Sequence, residues 1–264
     1  MTIETILTPA ESPAPAQRDL RATACVVFDI LRATSTFVTA LQNGAQAIIP
    51  VSEISEAVAL RKKQPAVLLA GERDGVKIRA AQSGGIDFDF GNSPREFTSQ
   101  KAGGKTIAST TTNGTRALRA CAGAKTVLAA SFLNLGATAK FLQQKKFAEV
   151  LLVCAGTGEG VALEDVLAAG ALVEILSRDS DPLTPTLSPL GRGEGAKLSD
   201  STQIAQRTFL SAQSNLSATF SGSQNARRLL AIPELRDDVA FCLQSDIFDL
   251  VAEMGTDGAI RRIL

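Results

Sequence analysis

Side chains that can do chemistry recur in this sequence at the points where apolar runs end. They are, in chain order, Asp29 after the run 25–28, Glu72 and Arg73 after the run 66–70, the hydroxyl-rich stretch 109–113 after the run 106–108, and Gly156 and Thr157 after the run 150–153. If these runs are parallel strands, their carboxyl ends gather along one edge of a sheet, where ligands bind. Carboxylates, hydroxyls and arginines in one cleft suit a metal ion and a phosphate.

The residue types that are absent narrow the chemistry. The sequence has no histidine, tyrosine or tryptophan, which excludes a Ser-His-Asp triad, a phosphohistidine and a histidine proton shuttle. A metal site would therefore use hard oxygen ligands, which favour Mg²⁺ or Mn²⁺. The four cysteines, Cys25, Cys121, Cys154 and Cys242, form no C-x-x-C pair. They are predicted to be buried free thiols, with no disulfide framework or zinc site.

Composition is that of an ordinary globular protein. Hydrophobic residues make up 45% and charged residues 20% of 264 residues, enough for one large core or an α/β core with an added lobe. Lysine plus arginine (27) equals aspartate plus glutamate (27), and no basic run stands out, so we expect no nucleic-acid partner. No apolar stretch is as long as a membrane span, and no signal-peptide pattern begins the chain. We therefore expect no membrane association and a cytoplasmic location.

Strand and helix patterns alternate as far as about residue 176. The strand patterns are 25–28, 47–51, 67–70, 106–109, 126–130 and 150–154, and the helical patterns are 36–42, 53–62, 115–120, 137–144 and 164–176. This spacing predicts an α/β fold with a mostly parallel sheet and flanking helices. Residues 1–264 are expected to form a single α/β unit. An arrangement of two α/β lobes, with the active site in the cleft between them, is left open.

Three further segments depart from the alternation. Residues 76–100 read as a long loop, a type of segment that is often functional within a compact domain. Residues 181–195 contain three prolines and three glycines, which predicts a disordered surface insertion with no role in the chemistry. The tail, 202–264, is predicted to be mostly helical and to pack on the sheet.

Two turns, and the strand-to-helix corner that contains Asp29 and Arg32, each have more than one interpretation. The turn 110–115 offers hydroxyls, an amide and a glycine at a helix start, which suits either anion binding or simple capping. The turn 156–160 has the spacing GxGxG, which lacks the full dinucleotide fingerprint and favours a phosphate- or metal-supporting turn. Asp29 and Arg32 could form an ordinary surface ion pair. An aspartate directly after a buried strand is also a usual place for a metal ligand or phosphoryl nucleophile.

Several motifs together resemble the 2-phosphosulfolactate phosphatase family. They are Phe28-Asp29-Ile30-Leu31-Arg32-Ala33-Thr34-Ser35-Thr36, Ala70-Gly71-Glu72-Arg73, Gly91-Asn92-Ser93-Pro94, Thr110-Thr111-Thr112-Asn113-Gly114-Thr115, Cys154-Ala155-Gly156-Thr157, Arg227-Arg228-Leu229-Leu230 and Asp238-Val239-Ala240-Phe241-Cys242-Leu243. The resemblance implies a Mg²⁺-dependent hydrolysis of 2-phosphosulfolactate to sulfolactate and phosphate, a step toward coenzyme M. The segment 181–195 looks foreign to the family, and the stretch 79–88 looks longer than the family's usual link.

Residue roles follow from this chemistry. Asp29, Arg32 and Glu72 are the predicted catalytic residues. Asp29, Glu72, Glu164 and Asp165 are the predicted metal ligands, with Glu164 and Asp165 as alternatives to complete the site. The predicted substrate-binding residues are Arg73, Asn92, Ser93, Thr111, Thr112, Asn113, Gly114, Thr115, Gly156 and Thr157. Asp29 could be a nucleophile or only a ligand; Leu31 stands where an aspartate-nucleophile phosphatase has its second aspartate, which favours metal-activated water.

The expected partner is a small anionic phosphorylated substrate, and a homo-oligomer is left open. Two other classes of function compete with a phosphatase. One is a nucleotide-dependent oxidoreductase, for which the turn 156–160 is the relevant feature. The other is a non-enzymatic anion-binding module, which the turn 110–115 alone could support.

Overall fold

The computed structural model describes residues 1–11, 18–178 and 196–263. Within these residues eleven strands form one sheet. They are β1 (Thr2–Ile6), β2 (Thr23–Phe28), β3 (Ala47–Pro50), β4 (Leu68–Arg73), β5 (Val76–Lys77), β6 (Thr106–Thr110), β7 (Thr126–Ala130), β8 (Glu149–Cys154), β9 (Lys197–Leu198), β10 (Ala252–Met254) and β11 (Ile260–Arg262). The segment 181–195, predicted to be an insertion, lies outside the described residues.

Two groups of parallel strands make up most of the sheet, whose order is β5-β4-β6-β3-β11-β10-β7-β2-β8-β1-β9. The first group is β4, β6 and β3, and the second is β7, β2, β8, β1 and β9. The antiparallel pair β10 and β11 joins the two groups, and β5 forms an antiparallel edge. The predicted mostly parallel sheet is confirmed.

Helices flank this sheet, as predicted. They are α1 (Ala33–Gln42), α2 (Ile54–Lys63), α3 (Ala80–Ser83), α4 (Ser99–Ala102), α5 (Gly114–Ala120), α6 (Leu135–Lys145), α7 (Leu163–Arg178), α8 (Asp200–Ala212), α9 (Leu216–Ser221), α10 (Gln224–Leu230) and α11 (Arg236–Cys242). In the part of the chain that the structure describes, none of them is long and apolar enough to cross a membrane.

Strand β2 shows how the core fixes the position of Asp29. Val26 and Phe28 pack in one hydrophobic cluster with residues of α6 and α7, whereas Cys25 and Val27 pack in a second cluster with residues of α1 and α5. Alternate side chains of a strand point to opposite faces, so β2 is buried on both sides, as is usual in parallel sheets. Asp29 is the first residue beyond this fully buried strand. All four cysteines are buried and free, which confirms that prediction.

Two segment predictions need correction. Residues 76–100 are not one long loop, because β5, α3 and a short 3₁₀ turn at Pro94–Glu96 lie within them. The tail is helical through α8 to α11, but it ends in the strands β10 and β11. Each of these two strands is three residues long, too short for an alternating pattern to be recognised, and their role in joining the two strand groups is a long-range property.

Helices α7 and α8 approach each other closely at Gly170. A Cβ atom placed on Gly170 would lie 2.1 Å from the carbonyl oxygen of Ala205 and 2.8 Å from the Cβ of Phe209. Backbone cannot move aside as the end of a flexible side chain can. The close approach matters for function because Glu164 and Asp165 lie in the first turn of α7.

We predict that Gly170→Ala destabilises the protein, although the same change within an ordinary helix stabilises it by about 1 kcal/mol. The added methyl overpacks the helix contact, at a cost of about 1–3 kcal/mol, and thermal unfolding should show a lower Tm. Gly123→Ala is the control, because nothing lies within 4 Å of the added Cβ. Equal Tm values for the two variants would contradict the close packing.

Candidate active site

A cavity of about 210 Å³ lies where loops from both strand groups meet. Eight of the predicted site residues line it: Asp29, Arg32, Glu72, Asn92, Thr112, Asn113, Gly156 and Thr157. The amide of Asn113, after β6, donates to the carbonyl of Ala155, after β8, at 2.8 Å. The three antiparallel pairings between β3 and β7 give the two groups opposite strand sense. The expected single edge of an open parallel sheet is therefore wrong, although the loops do converge.

Asp29 is held at the start of α1 by backbone donors. Its Oδ1 accepts the N–H of Ala33 at 3.0 Å, and its own N–H donates to the hydroxyl of Thr34 at 3.0 Å. A Cβ on Gly114 would lie 2.4 Å from Oδ2, so only glycine lets α5 begin this close to the carboxylate. Burial raises the pKa of Asp29 to about 7, with the N–H of Ala33 opposing the shift and the charge of Glu72 adding to it.

Glu72 connects two loops of the first strand group. Its Oε1 accepts the N–H and the hydroxyl of Thr112 at 2.9 and 3.0 Å, and its Oε2 accepts the N–H of Gly75 at 2.7 Å. Both oxygens of this buried carboxylate therefore have donors. Glu72 is the last inward-facing residue of β4, and it fixes the turn after β6 against the turn between β4 and β5.

Arg32 belongs to a buried ion pair with Asp238. Its Nη1 donates to Oδ2 of Asp238 at 2.8 Å, and its Nη2 donates to the carbonyl of Gly75 at 2.6 Å. The side chains of Arg32 and Asp238 are 3% and 0% exposed. Ser93 donates its hydroxyl to the other oxygen of Asp238 at 2.7 Å. The alternative of an exposed surface pair between Asp29 and Arg32 is therefore wrong, because Arg32 is buried and its carboxylate partner is Asp238.

The two acids of α7 have different surroundings. Asp165 accepts the N–H of Ile30 at 2.8 Å and that of Gly156 at 3.0 Å, one on each oxygen, and so ties the ends of β2 and β8 together. Burial, followed by the charges of Asp29 and Glu164, raises the pKa of Asp165 well above its usual range. Glu164 accepts the amide of Asn225 at 2.6 Å on Oε1. Its Oε2 is buried and has no hydrogen-bond partner among the residues that the structure describes.

The hydroxyl-rich turn divides between capping and the cavity. Thr111 and Thr115 exchange hydrogen bonds at the start of α5, where Thr111 Oγ1 accepts the N–H of Thr115 at 3.2 Å. The capping alternative therefore holds for these two residues. Thr112 and Asn113 line the cavity instead. Thr157 also faces it, and its hydroxyl accepts the amide of Asn225 at 2.6 Å.

Arg73 is not brought to the cavity. Its Nη2 donates to the hydroxyl of Thr110 at 3.1 Å, and its side chain lines a different surface depression together with Glu53 and Val58. The strand β4 continues through Arg73, so Glu72 and Arg73 are consecutive strand residues and point to opposite faces. Six other predicted site residues do not line the cavity: Ser93, Thr111, Gly114, Thr115, Glu164 and Asp165.

Three residues of the C-terminal helices complete the site and were not predicted. Asn225 and Arg228, on α10, line the cavity, and Asp238, on α11, neutralises Arg32. They lie far from Asp29 in the chain, so spacing gives no indication of them. Arg228 and Asp238 lie in the segments 227–230 and 238–243, whose resemblance to the family could have indicated them.

Comparison with known proteins places this chain in a phosphatase family. The pattern of the 2-phosphosulpholactate phosphatase family matches residues 7–256 of the chain. The chain therefore belongs to that family, whose members are phosphoric monoester hydrolases. This membership excludes the oxidoreductase and the non-enzymatic module as its class.

Individual relatives support the assignment. The chain is 41% identical over 226 residues to a protein of Thermotoga petrophila, covering 86% of each chain. It is 38% identical over 246 residues to a protein of Caldanaerobacter subterraneus subsp. tengcongensis, covering 92% of each. A protein of Synechococcus sp. is 35% identical over 241 residues, covering 90% of this chain and 91% of its own. All three carry the description "Probable 2-phosphosulfolactate phosphatase".

We predict that Asp238→Asn destabilises the protein strongly, because Arg32 is left with a buried charge that nothing neutralises. Breaking one side of a buried pair costs about 3–5 kcal/mol, measurable by urea unfolding. Asp237→Asn is the matched control, since its carboxylate is exposed and pairs with Arg95 at 3.1 Å. If the two variants lost the same small free energy of unfolding, Asp238 would not be the counter-ion on which Arg32 depends.

Proposed function

We propose that this protein hydrolyses 2-phosphosulfolactate, or a related phosphorylated hydroxy acid, to sulfolactate and phosphate with the help of Mg²⁺. One structural observation carries the proposal: the carboxylates of Asp29 and Glu72 line the same cavity as the guanidinium groups of Arg32 and Arg228. Phosphate-monoester hydrolysis is extremely slow without a catalyst, and enzymes accelerate it largely by electrostatic stabilisation. A cavity with both signs of charge can hold a cation and an anionic substrate together.

The residues present fit a magnesium ion. The buried Oε2 of Glu164 has no hydrogen-bond partner among the described residues, and the charge of Glu164 contributes to raising the pKa of Asp29. Within the described ranges no three acidic, cysteine or histidine side chains cluster tightly enough to hold a metal by themselves. This suits Mg²⁺, which usually keeps several waters and binds through one or two carboxylates plus substrate phosphate oxygens.

Asp29 and Glu164 are the best placed ligands, with Glu72 and Asp165 in support. The oxygens of Glu72 and Asp165 already accept backbone N–H groups, so their first task is to hold loops in place. When bound, the ion would neutralise phosphate oxygens and lower the pKa of a coordinated water.

The chain's own groups would bind and orient the substrate. Arg32 has five N–H donors, and its bonds to Asp238 and Gly75 leave donors for a phosphate. Because Arg32 is buried and fixed at both ends, it loses little entropy when it binds. Thr112, Asn113 and Gly156 also line the cavity. Arg32 lies three positions after Asp29 in the chain, so the phosphate would lie at the Asp29 corner.

We also propose where the active site lies in the fold and which pathway the reaction serves. The two parallel strand groups would act as two lobes, with the active site in the cleft between them; the contribution of Asp29 from one group and of Glu72 from the other supports this. The substrate is a small phosphorylated anion, and the product would serve coenzyme M biosynthesis in the cytoplasm. A homo-oligomer stays a prediction.

A phosphate-release assay tests the proposed activity. With 2-phosphosulfolactate as substrate, we expect turnover with Mg²⁺ or Mn²⁺, loss of turnover with a chelator, and no advantage from Zn²⁺. Asp29→Asn should reduce kcat/KM by orders of magnitude while the fold survives. Full turnover in excess EDTA after extensive dialysis would refute the magnesium site.

A second experiment examines Glu164 without any turnover. In EDTA, Glu164→Gln should raise the Tm, because a buried unpaired charge becomes a neutral amide and a penalty of about 1–3 kcal/mol is relieved. The same variant should lose most of the Tm increase that Mg²⁺ gives the wild type; for the wild type the underlying stabilisation is about 2.7 kcal/mol at a hundredfold excess of Mg²⁺ over Kd.

The control for that experiment is Glu159→Gln, an exposed acid in the turn before α7, which should behave like the wild type in both buffers. If Glu164→Gln kept the full Mg²⁺ effect on Tm, Glu164 would not be a ligand.

A further inference from the structure

Arg228 is an unpaired cation at the rim of the cavity. It lines the cavity and is exposed, and its side chain forms no hydrogen bond or ion pair with the residues that the structure describes. Asp74 lies on the same rim without forming an ion pair with it. The other arginine of the cavity, Arg32, is neutralised by Asp238. Arg228 is therefore the positive charge of the cavity that has no counter-ion within the described part of the chain.

Gly75 separates the two arginines. Its carbonyl accepts the Nη2 of Arg32 at 2.6 Å. On the other side, three guanidinium atoms of Arg228 lie 3.7–3.8 Å from the position that a Cβ of Gly75 would occupy. The φ of Gly75 is +79°, a backbone conformation that favours glycine. Gly75 thus contacts Arg32, from the Asp29 corner, through its carbonyl, and its α-carbon faces Arg228.

The helix that carries Arg228 is anchored to the site. Asn225, one turn earlier on α10, is buried, and its amide donates to Glu164 and to Thr157 at 2.6 Å each. The hydroxyl of Ser223 caps the helix by accepting the N–H of Ala226 at 3.2 Å. Arg228 is therefore presented from a fixed helix face. By contrast, the neighbouring Arg227 donates to the carbonyl of Gly222 and does not line the cavity.

We propose that Arg228 binds a second anionic group of the substrate, a carboxylate or sulfonate, and so selects phosphate monoesters that carry such a group near the ester carbon. The inference rests on the proposed phosphatase function, in which the phosphate lies at the Asp29 corner with Arg32. Because the two guanidinium groups approach different atoms of Gly75, they offer two separate positions for anionic groups. A planar arginine fork matches the oxygens of a carboxylate or sulfonate and forms strong charge-assisted bonds with them.

Three substrates separate the roles in a kinetic experiment with the full-length protein. They are 2-phosphosulfolactate, 2-phospholactate, which lacks the sulfonate, and 2-propyl phosphate, which lacks both anions. Arg228→Gln should lower kcat/KM for 2-phosphosulfolactate by about 10- to 100-fold, mainly through KM, and leave 2-propyl phosphate nearly unchanged. Arg228→Lys should recover part of the loss, and Arg227→Gln is the matched control, expected to behave like the wild type.

The intermediate substrate identifies the group that is bound. A similar loss with 2-phospholactate would assign Arg228 to the carboxylate, and no loss would assign it to the sulfonate. An equal loss with all three substrates would overturn the inference, because Arg228 would then act on the phosphate. No loss with any of them would overturn it as well.

A binding measurement keeps this inference separate from the proposed activity. Calorimetry with sulfolactate needs no turnover, and Arg228→Gln should weaken binding by about 10-fold or more relative to Arg227→Gln. If the wild type released no phosphate from any substrate, the phosphatase proposal would fail, while weakened sulfolactate binding would still support the anion site. Unchanged sulfolactate binding in Arg228→Gln would overturn the anion site whatever the activity.

Discussion

The removal of charged side chains from water is the constraint on which the rest of this structure depends. Glu72, Asp165 and the pair of Arg32 with Asp238 are all buried around one cavity. A buried charge is costly unless donors or an opposite charge replace its water. The chain meets this requirement mainly with backbone N–H groups. Such a group can donate only when its loop holds it in the right position. Each carboxylate consequently fixes the loops that supply its donors, and the electrostatics of the site determine its shape.

These hydrogen bonds explain why the cavity draws on distant segments of the described chain. Asp165 joins the ends of β2 and β8 within one strand group, and Glu72 joins two loops of the other. Arg32 joins the two strand groups: it follows β2 of one group, and its guanidinium donates to the carbonyl of Gly75, between β4 and β5 of the other. The C-terminal helices add Asp238 behind the arginine. No one group of strands could assemble the cavity, although β10 and β11 join the two groups by only short pairings.

Local patterns were sufficient for much of the fold and for part of the site. The six predicted strands and five predicted helices all exist, because apolar runs and helical periodicity reflect burial directly. The sequence pattern brings Asp29 and Glu72 to the cavity because each follows or ends such a run. The pattern does not show that β4 continues through Arg73, and this extra strand residue turns the neighbour of Glu72 to the opposite face.

The remaining residues of the site depend on contacts that no local pattern contains. Asp238 pairs with Arg32 across 206 positions of sequence, and only the packing of α11 against the cavity brings them together. The same is true of Asn225 and Glu164, which are 61 positions apart.

One difference among the buried acids separates structural roles from a ligand role. Glu72, Asp165 and Asp238 each have a donor on both oxygens, so folding alone accounts for them. Glu164 has a donor on Oε1 and, in the part of the chain that the structure describes, none on Oε2. A fold selected for stability alone would gain by replacing that side chain with a neutral one. In the proposed function a bound cation supplies the missing interaction, and the same reasoning applies, with the sign reversed, to the proposed role of Arg228 and an anion.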